Sequence, residues 1–184
     1  MKKVIISVIG RDRPGIIAAV SAALLDQDCN IENVNQTILQ SEFSGIFIVT
    51  GPKRLSADEL QRLLREKLDP MGLHIHTKDM TDDEPEFSIG ESEPFIIVTR
   101  GPDRKGLVAA FTRIIADYGA NVTNLQAVFK GGDDPGNNSM IYEVDVPAAA
   151  DQQALDRDLR KKAVELGLDI SIQHRRIFKA LNRI

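Results

Sequence analysis

The chain has 184 residues, 42% of them hydrophobic and 27% charged, the mix of a folded globular protein and not of a disordered or fibrous one. Its formal net charge of −4 and pI near 5.4 weigh against direct nucleic-acid binding, which depends on Lys and Arg neutralising phosphates. A single cysteine rules out an intrachain disulfide framework, and without tryptophan the core has to be built mainly from Ile, Val, Leu and Ala.

The amino-terminal MKKVIISVIG begins like a signal peptide, with two lysines and an apolar run. The run stops at Gly10, is followed at once by charge, and lacks a small-residue cleavage pattern. Residues 3–10 therefore read as a strand. No stretch approaches the roughly 20 apolar residues of a membrane helix. The expectation is a cytoplasmic protein with no membrane partner.

Ile16, Ile17, Val20 and Leu24 then mark one face of a helix, and 30–40 and 44–51 read as strands. Ser56 and Glu59 have the spacing of a capping box, in which each side chain bonds the other residue's backbone N–H. Leu60, Leu63, Leu64, Leu68 and Met71 supply the apolar face that follows, Gly72 stops the helix, and 73–79 form a short strand. Residues 81–93 carry acidic side chains and no basic one, the character of an extended linker.

The second half repeats the first. A shift of 91 positions superposes Gly10, Asp12, Arg13, Gly15, Ala18, Ala19, Asp26, Asn30 and Asn33 on Gly101, Asp103, Arg104, Gly106, Ala109, Ala110, Asp117, Asn121 and Asn124. Its strand at 94–101 precedes a helix faced by Leu107, Val108, Phe111, Ile114, Ile115 and Tyr118. Strands follow at 121–130 and 138–147, the latter with Met140, Tyr142, Val144 and Val146 in alternation. Asp151 caps a helix with Leu155, Leu159 and Leu166 inward, Gly167 stops it, and 168–178 end the fold. Each half is βαββαβ, a ferredoxin-like α+β unit whose antiparallel four-stranded sheet carries two helices on one face. The expected organisation is a first module at 1–80, a linker at 81–93 and a second module at 94–184. With one sheet face of each small unit uncovered, pairing of modules and a homodimer are expected.

The turn after each first strand carries the chemistry. Gly15 and Gly106 let backbone pass close to a neighbour, and Pro14 suits the first helical turn. A helix start offers free N–H groups and the positive end of its dipole to a carboxylate. Asp12 and Asp103 add a negative group beside it, and a site with both signs suits a zwitterionic amino acid. Asn30 and Asn121 are expected within hydrogen-bond reach of the same spot. A purely structural reading stands beside this one: aspartate before a helix is a preferred N-cap, and asparagine after one is a common left-handed C-cap.

The stretch GRDRPGIIAAVSAALLDQDCNIENVNQ resembles the first half of an ACT domain, the amino-acid-binding regulatory module. The tandem copy is similar to the glycine cleavage system transcriptional repressor family, and the first copy also resembles the amino-terminal module of formyltetrahydrofolate deformylase. The second copy departs from the D-R-P-G pattern, with Lys105 in place of proline. The resemblance implies a ligand held between paired modules by Asp12, Arg13, Pro14, Gly15 and Asn30, and by Asp103, Arg104, Gly106 and Asn121. It implies an amino acid such as glycine or serine as ligand, no catalysis, and control of transcription through a DNA-binding protein partner. A ligand-independent interaction module and a detached regulatory subunit of a metabolic enzyme are the alternatives.

Other signals fail on their chemistry. Gly10 to Gly15 has phosphate-loop spacing, but Ile16 and Ile17 stand where Lys and Ser or Thr are needed. His74 and His76 share a strand face without a third ligand, so no metal is expected. Cys29 corresponds to Ala120, a small packed residue and not a nucleophile. GGDDPGNN at 131–138 lacks the closing Glu of a calcium loop. No cofactor is expected. Phe95 alone could stack a base on the first strands, too little for an RNA-binding sheet.

Overall fold

The computed structural model describes residues 2–80, 90–128 and 138–175. The expected linker and the 131–138 loop therefore lie mostly outside the described residues, as does the basic tail from 176. The chain divides into two compact units, Met1–Glu86 and Phe87–Ile184.

The first unit runs β1 (Lys2–Arg11), α1 (Ile16–Leu25), β2 (Asn30–Leu39), β3 (Glu42–Gly51), α2 (Ala57–Leu68) and β4 (His74–Met80). The second repeats it as β5 (Ser92–Gly101), α3 (Leu107–Asp117), β6 (Asn121–Val128), β7 (Asn138–Pro147), α4 (Gln152–Leu166) and β8 (Asp169–His174). The sheets have the orders β2-β3-β1-β4 and β6-β7-β5-β8, with every neighbouring pair antiparallel. These are two ferredoxin-like βαββαβ modules in tandem. Strand β5 starts two residues ahead of the expected 94, because Ser92 and Glu93 pair with Pro147 and Val146.

Local signals account for most element ends. Ser56 Oγ accepts from the Glu59 N–H at 3.1 Å, and Asp151 Oδ1 accepts from the Ala154 N–H at 2.9 Å. Gly72 and Gly167 take left-handed conformations after α2 and α4. A bulge interrupts the register between Ile31 and Asn33, and again between Val122 and Asn124, so the duplication extends to a backbone irregularity.

The first core joins Ile6, Val8, Phe43, Phe47 and Val49 of the sheet to Val20 and Leu24 of α1 and Leu60, Leu64 and Leu68 of α2. Gly45 sits between the two rings of β3, where an added Cβ would lie 2.9 Å from Phe43 and 3.0 Å from Phe47. The second core joins Ile97, Met140, Tyr142 and Val144 to Phe111, Ile115, Leu155, Leu159 and Ala163. Several expected inward positions lie further out, Leu63, Met71, Val108, Ile114 and Tyr118 being only partly buried. Ile17 is exposed, because α1 turns its face through Ile16, Val20 and Leu24, and Leu166 is only partly buried, Ala163 lying deeper on α4.

The uncovered sheet faces differ. In the first unit Ile9 and Ile46 are 50% and 53% exposed there. In the second, Arg175 lies 3.3 Å from Glu143 and 4.0 Å from Asp145, and Asn124 donates to Glu143 at 3.0 Å. The first face thus exposes isoleucines where the second holds an ion-pair cluster.

Candidate functional site

The βα turns form where each first strand ends. The backbone N–H of Asp12 donates to the Ser41 carbonyl at 2.8 Å, fastening the turn to the β2–β3 hairpin. Gly15 then starts α1 as its N-cap with φ of 95°, and Gly106 starts α3 with φ of 89°. Only glycine takes this conformation without cost. An added Cβ at either glycine would meet nothing within 4 Å, so the demand is conformational and not one of close approach. The close approach falls instead at Gly10 and Gly101, where an added Cβ would lie 2.8 Å from the Gly72 carbonyl and 2.6 Å from Leu168.

Neither structural reading of the turn aspartates and the asparagines holds. No side chain caps α1 or α3, since glycine fills both N-cap positions and Asp12 and Asp103 stand three residues earlier. The left-handed residues after the helices are Asp28 and Gly119, while Asn30 and Asn121 already lie in strands β2 and β6. Pro14 precedes the N-cap and so lies outside the first helical turn.

Around each turn lies a concavity. The first, of about 220 Å³, is lined by Asp12, Arg13, Gly15, Ile16, Ile17, Ala18, Gln36 and Phe43. The second, of about 470 Å³, is lined by Asp103, Arg104, Gly106, Leu107, Val108, Ala109 and Met140. Asp12, Arg13, Asp103 and Arg104 are all exposed. Arg13 is engaged nevertheless: its Nη2 donates to the Met71 carbonyl in the 3-10 turn that follows α2, which makes it a latch across the module. The strand residues Gln36, Phe43 and Met140 were not legible as site residues, because only the hairpin register brings them beside the turn.

The asparagines are not at this spot. Asn30 pairs with Thr50, which pairs with Lys3, at the opposite end of β1 from Asp12. At 3.3–3.4 Å per residue, the strand from Lys3 to Asp12 spans about 30 Å. Asn121 likewise pairs with Asp145, towards the start of β5 and away from Asp103. Within one module the turn and the asparagine cannot share a small ligand.

No group of three or more His, Cys, Asp or Glu side chains suited to a metal ion occurs among the described residues. Cys29 is buried against Gly51, and burial pushes its thiol pKa up, away from the thiolate form. Among the described residues no helix is long and apolar enough to cross a membrane.

The paired split-βαβ units and their glycine-capped turns agree with a direct comparison: residues 2–78 and 93–173 each match the ACT domain. The chain belongs to the ACT-domain family. It is a tandem ACT protein of the regulatory class. A UPF0237 protein of Methanocaldococcus jannaschii is 43% identical to it over 90 residues, a match spanning 48% of this chain and 96% of the relative. A UPF0237 protein of Clostridium acetobutylicum is 38% identical over 78 residues, spanning 42% of this chain and 88% of its own. These relatives are about half as long as this ACT pair. A solved structure of an uncharacterised protein from Galdieria sulphuraria superposes with a TM-score of 0.74 at 25% identity, covering 94% of this chain and 98% of its own. A candidate glycine cleavage system transcriptional repressor superposes with a TM-score of 0.68 at 17% identity, covering 94% and 96%. That second likeness is one of fold.

Proposed function

We propose that this tandem ACT protein is a non-catalytic amino-acid sensor whose ligand is held at the strand–helix turns. The observation that carries the reading is that Asp12 and Asp103 are released from capping by Gly15 and Gly106, yet both stay exposed in concavities beside a helix N-terminus. A carboxylate with no local structural task, next to free helix N–H groups, offers both signs that a zwitterion needs. Because Asn30 and Asn121 sit at the far ends of their sheets, a site that also uses them has to take the asparagine from another module. Ligand binding and module pairing are then one event, and the amino acid acts by favouring the paired arrangement.

The output in this reading is cytoplasmic, a homodimer passing the signal to a DNA-binding partner that governs glycine metabolism. The fold likeness to the candidate glycine cleavage repressor supports that direction. The test is thermal unfolding of the purified chain against a panel of free amino acids, glycine and serine first. A true ligand at 100 times its Kd stabilises by about 2.7 kcal/mol. A shift confined to one or two amino acids, and lost in Asp12→Ala or Asp103→Ala, is the expected result. A flat panel favours the ligand-independent interaction module instead, which the exposed Ile9 and Ile46 of the first sheet would serve.

A further inference from the structure

The two modules treat the space between the second helix and the edge strand differently. In the first, Gln61 and Arg65 clamp α2 onto β4. Gln61 Oε1 accepts from the Thr77 N–H at 2.9 Å, Thr77 Oγ1 donates to the Ala57 carbonyl at 2.8 Å, and Arg65 Nη2 donates to the Ile75 carbonyl at 3.2 Å. Aligning the caps Ser56 and Asp151 places Asp156, Arg160 and Ile172 where Gln61, Arg65 and Thr77 stand. There the two clamp residues hold each other: Arg160 donates to both oxygens of Asp156, at 2.7 and 3.0 Å. Neither is left to hold β8.

A cavity of about 450 Å³ lies at this place, between α4 and the sheet. Phe95, Ile97, Leu155, Leu159 and Ile172 give it apolar walls, and Gln152 and Arg157 stand among its polar residues. It sits towards the start of β5, at the opposite end of that strand from the turn at Asp103. The charge at the mouth has changed as well. In the first module Arg62 is paired with Glu66 at 2.5 Å, whereas the corresponding Arg157 faces Lys161 at the same spacing and has no ion pair among the described residues. Asp156 is already neutralised by Arg160.

We infer that the second module carries a ligand site of its own beneath α4, for a small molecule with an apolar body and a carboxylate head. The body occupies the walls of Phe95, Ile97, Leu155 and Ile172. The carboxylate meets Arg157, with Lys161 adding positive potential, and takes over the acceptor role that Gln61 fills in the first module. A volume of this size is in the range of small-molecule pockets.

The experiment is a titration of the full chain with phenylacetate, and in parallel with neutral phenylacetamide, followed by amide and methyl NMR. Saturable shifts centred on Ile97, Leu155, Leu159 and Ile172 are expected, with the first module unmoved. Arg157→Ala lies on an exposed residue and preserves the fold; it should weaken phenylacetate about tenfold or more and leave phenylacetamide unchanged. The double variant Asp156→Gln, Ile172→Thr installs the first module's clamp and should abolish both titrations. Absence of saturable shifts, shifts centred on Asp103 and Gly106, or a phenylacetate affinity unchanged in Arg157→Ala would each overturn the proposal. Because the readout is local to α4, a negative result leaves the amino-acid panel at the turns unaffected.

Discussion

The two modules share a backbone plan but fill it with different side chains, and the difference is sharpest on the central strands β3 and β7. In the first module Phe43 and Phe47 pack either side of Gly45, a residue kept small by their rings. In the second the same register holds Asn138, Met140 and Tyr142, a buried amide, a flexible thioether and a hydroxylated ring. Both solutions close the core, because volume and pattern decide whether a fold forms while the detailed fit decides how firmly. The second solution buries more polar atoms, and the cavity beneath α4 lies in that module. The first module is built as a clamped body and the second as a looser one with room for a guest.

The largest expected effect tests whether both central rings carry their cores. Phe47→Ala and Tyr142→Ala should each cost about 3–5 kcal/mol in denaturant unfolding. A loss below about 1 kcal/mol for Tyr142→Ala would mean that the second core does not depend on its ring.

An alkaline titration separates the modules next. Burial raises the Tyr142 pKa to about 12, against about 10 for tyrosine in an unfolded chain. Between those values the folded state keeps a proton that the unfolded state releases. The stability from Tyr142 is therefore whole below pH 10 and lost as pH rises through 12. Phe47 occupies the matching place, so the second module should weaken first as pH climbs. Tyr142→Phe should remove that difference; an unchanged alkaline midpoint would assign it to another group.

The two buried threonines sharpen the contrast further. Thr77 donates to Ala57 and belongs to the clamp, so Thr77→Val should cost about 1–3 kcal/mol. Thr99 Oγ1 is buried with no hydrogen-bond partner among the described residues, so Thr99→Val should be neutral or stabilising. Equal losses at both positions would erase the distinction between a clamped module and a looser one.

The smallest expected effect on stability is at the turns. Asp12→Ala and Asp103→Ala should each change unfolding by no more than about 0.5 kcal/mol, since neither residue caps a helix. They should still abolish any amino-acid response. A loss of a full helix cap, about 1 kcal/mol, would return these aspartates to a structural role.

Much of this architecture was legible in the residues alone. The repeat that pairs Gly10 with Gly101, the alternation through Met140 and Val146, and the caps Ser56 and Asp151 each act over a few neighbouring residues. Their structural consequences therefore depend little on the rest of the chain. The turn was legible as a place and not as a mechanism. That Gly15, and not Asp12, caps α1 follows from the positive φ that Gly15 takes, in a turn whose Asp12 is fastened to Ser41 in a hairpin far along the chain.

The separation of Asn30 from Asp12 is likewise tertiary. Both flank α1 at its two ends, and the pairing of β2 and β1 on either side of β3 fixes them at opposite ends of one sheet. The cavity beneath α4 has the same origin: Asp156 and Arg160 are ordinary helix residues until β8 is laid alongside them while they bond each other. Sequence by itself determined the elements, their order and their duplication, because hydrophobic period and caps are short-range. Which side chains share a site was decided by strand register, which couples residues tens of positions apart and leaves no local mark.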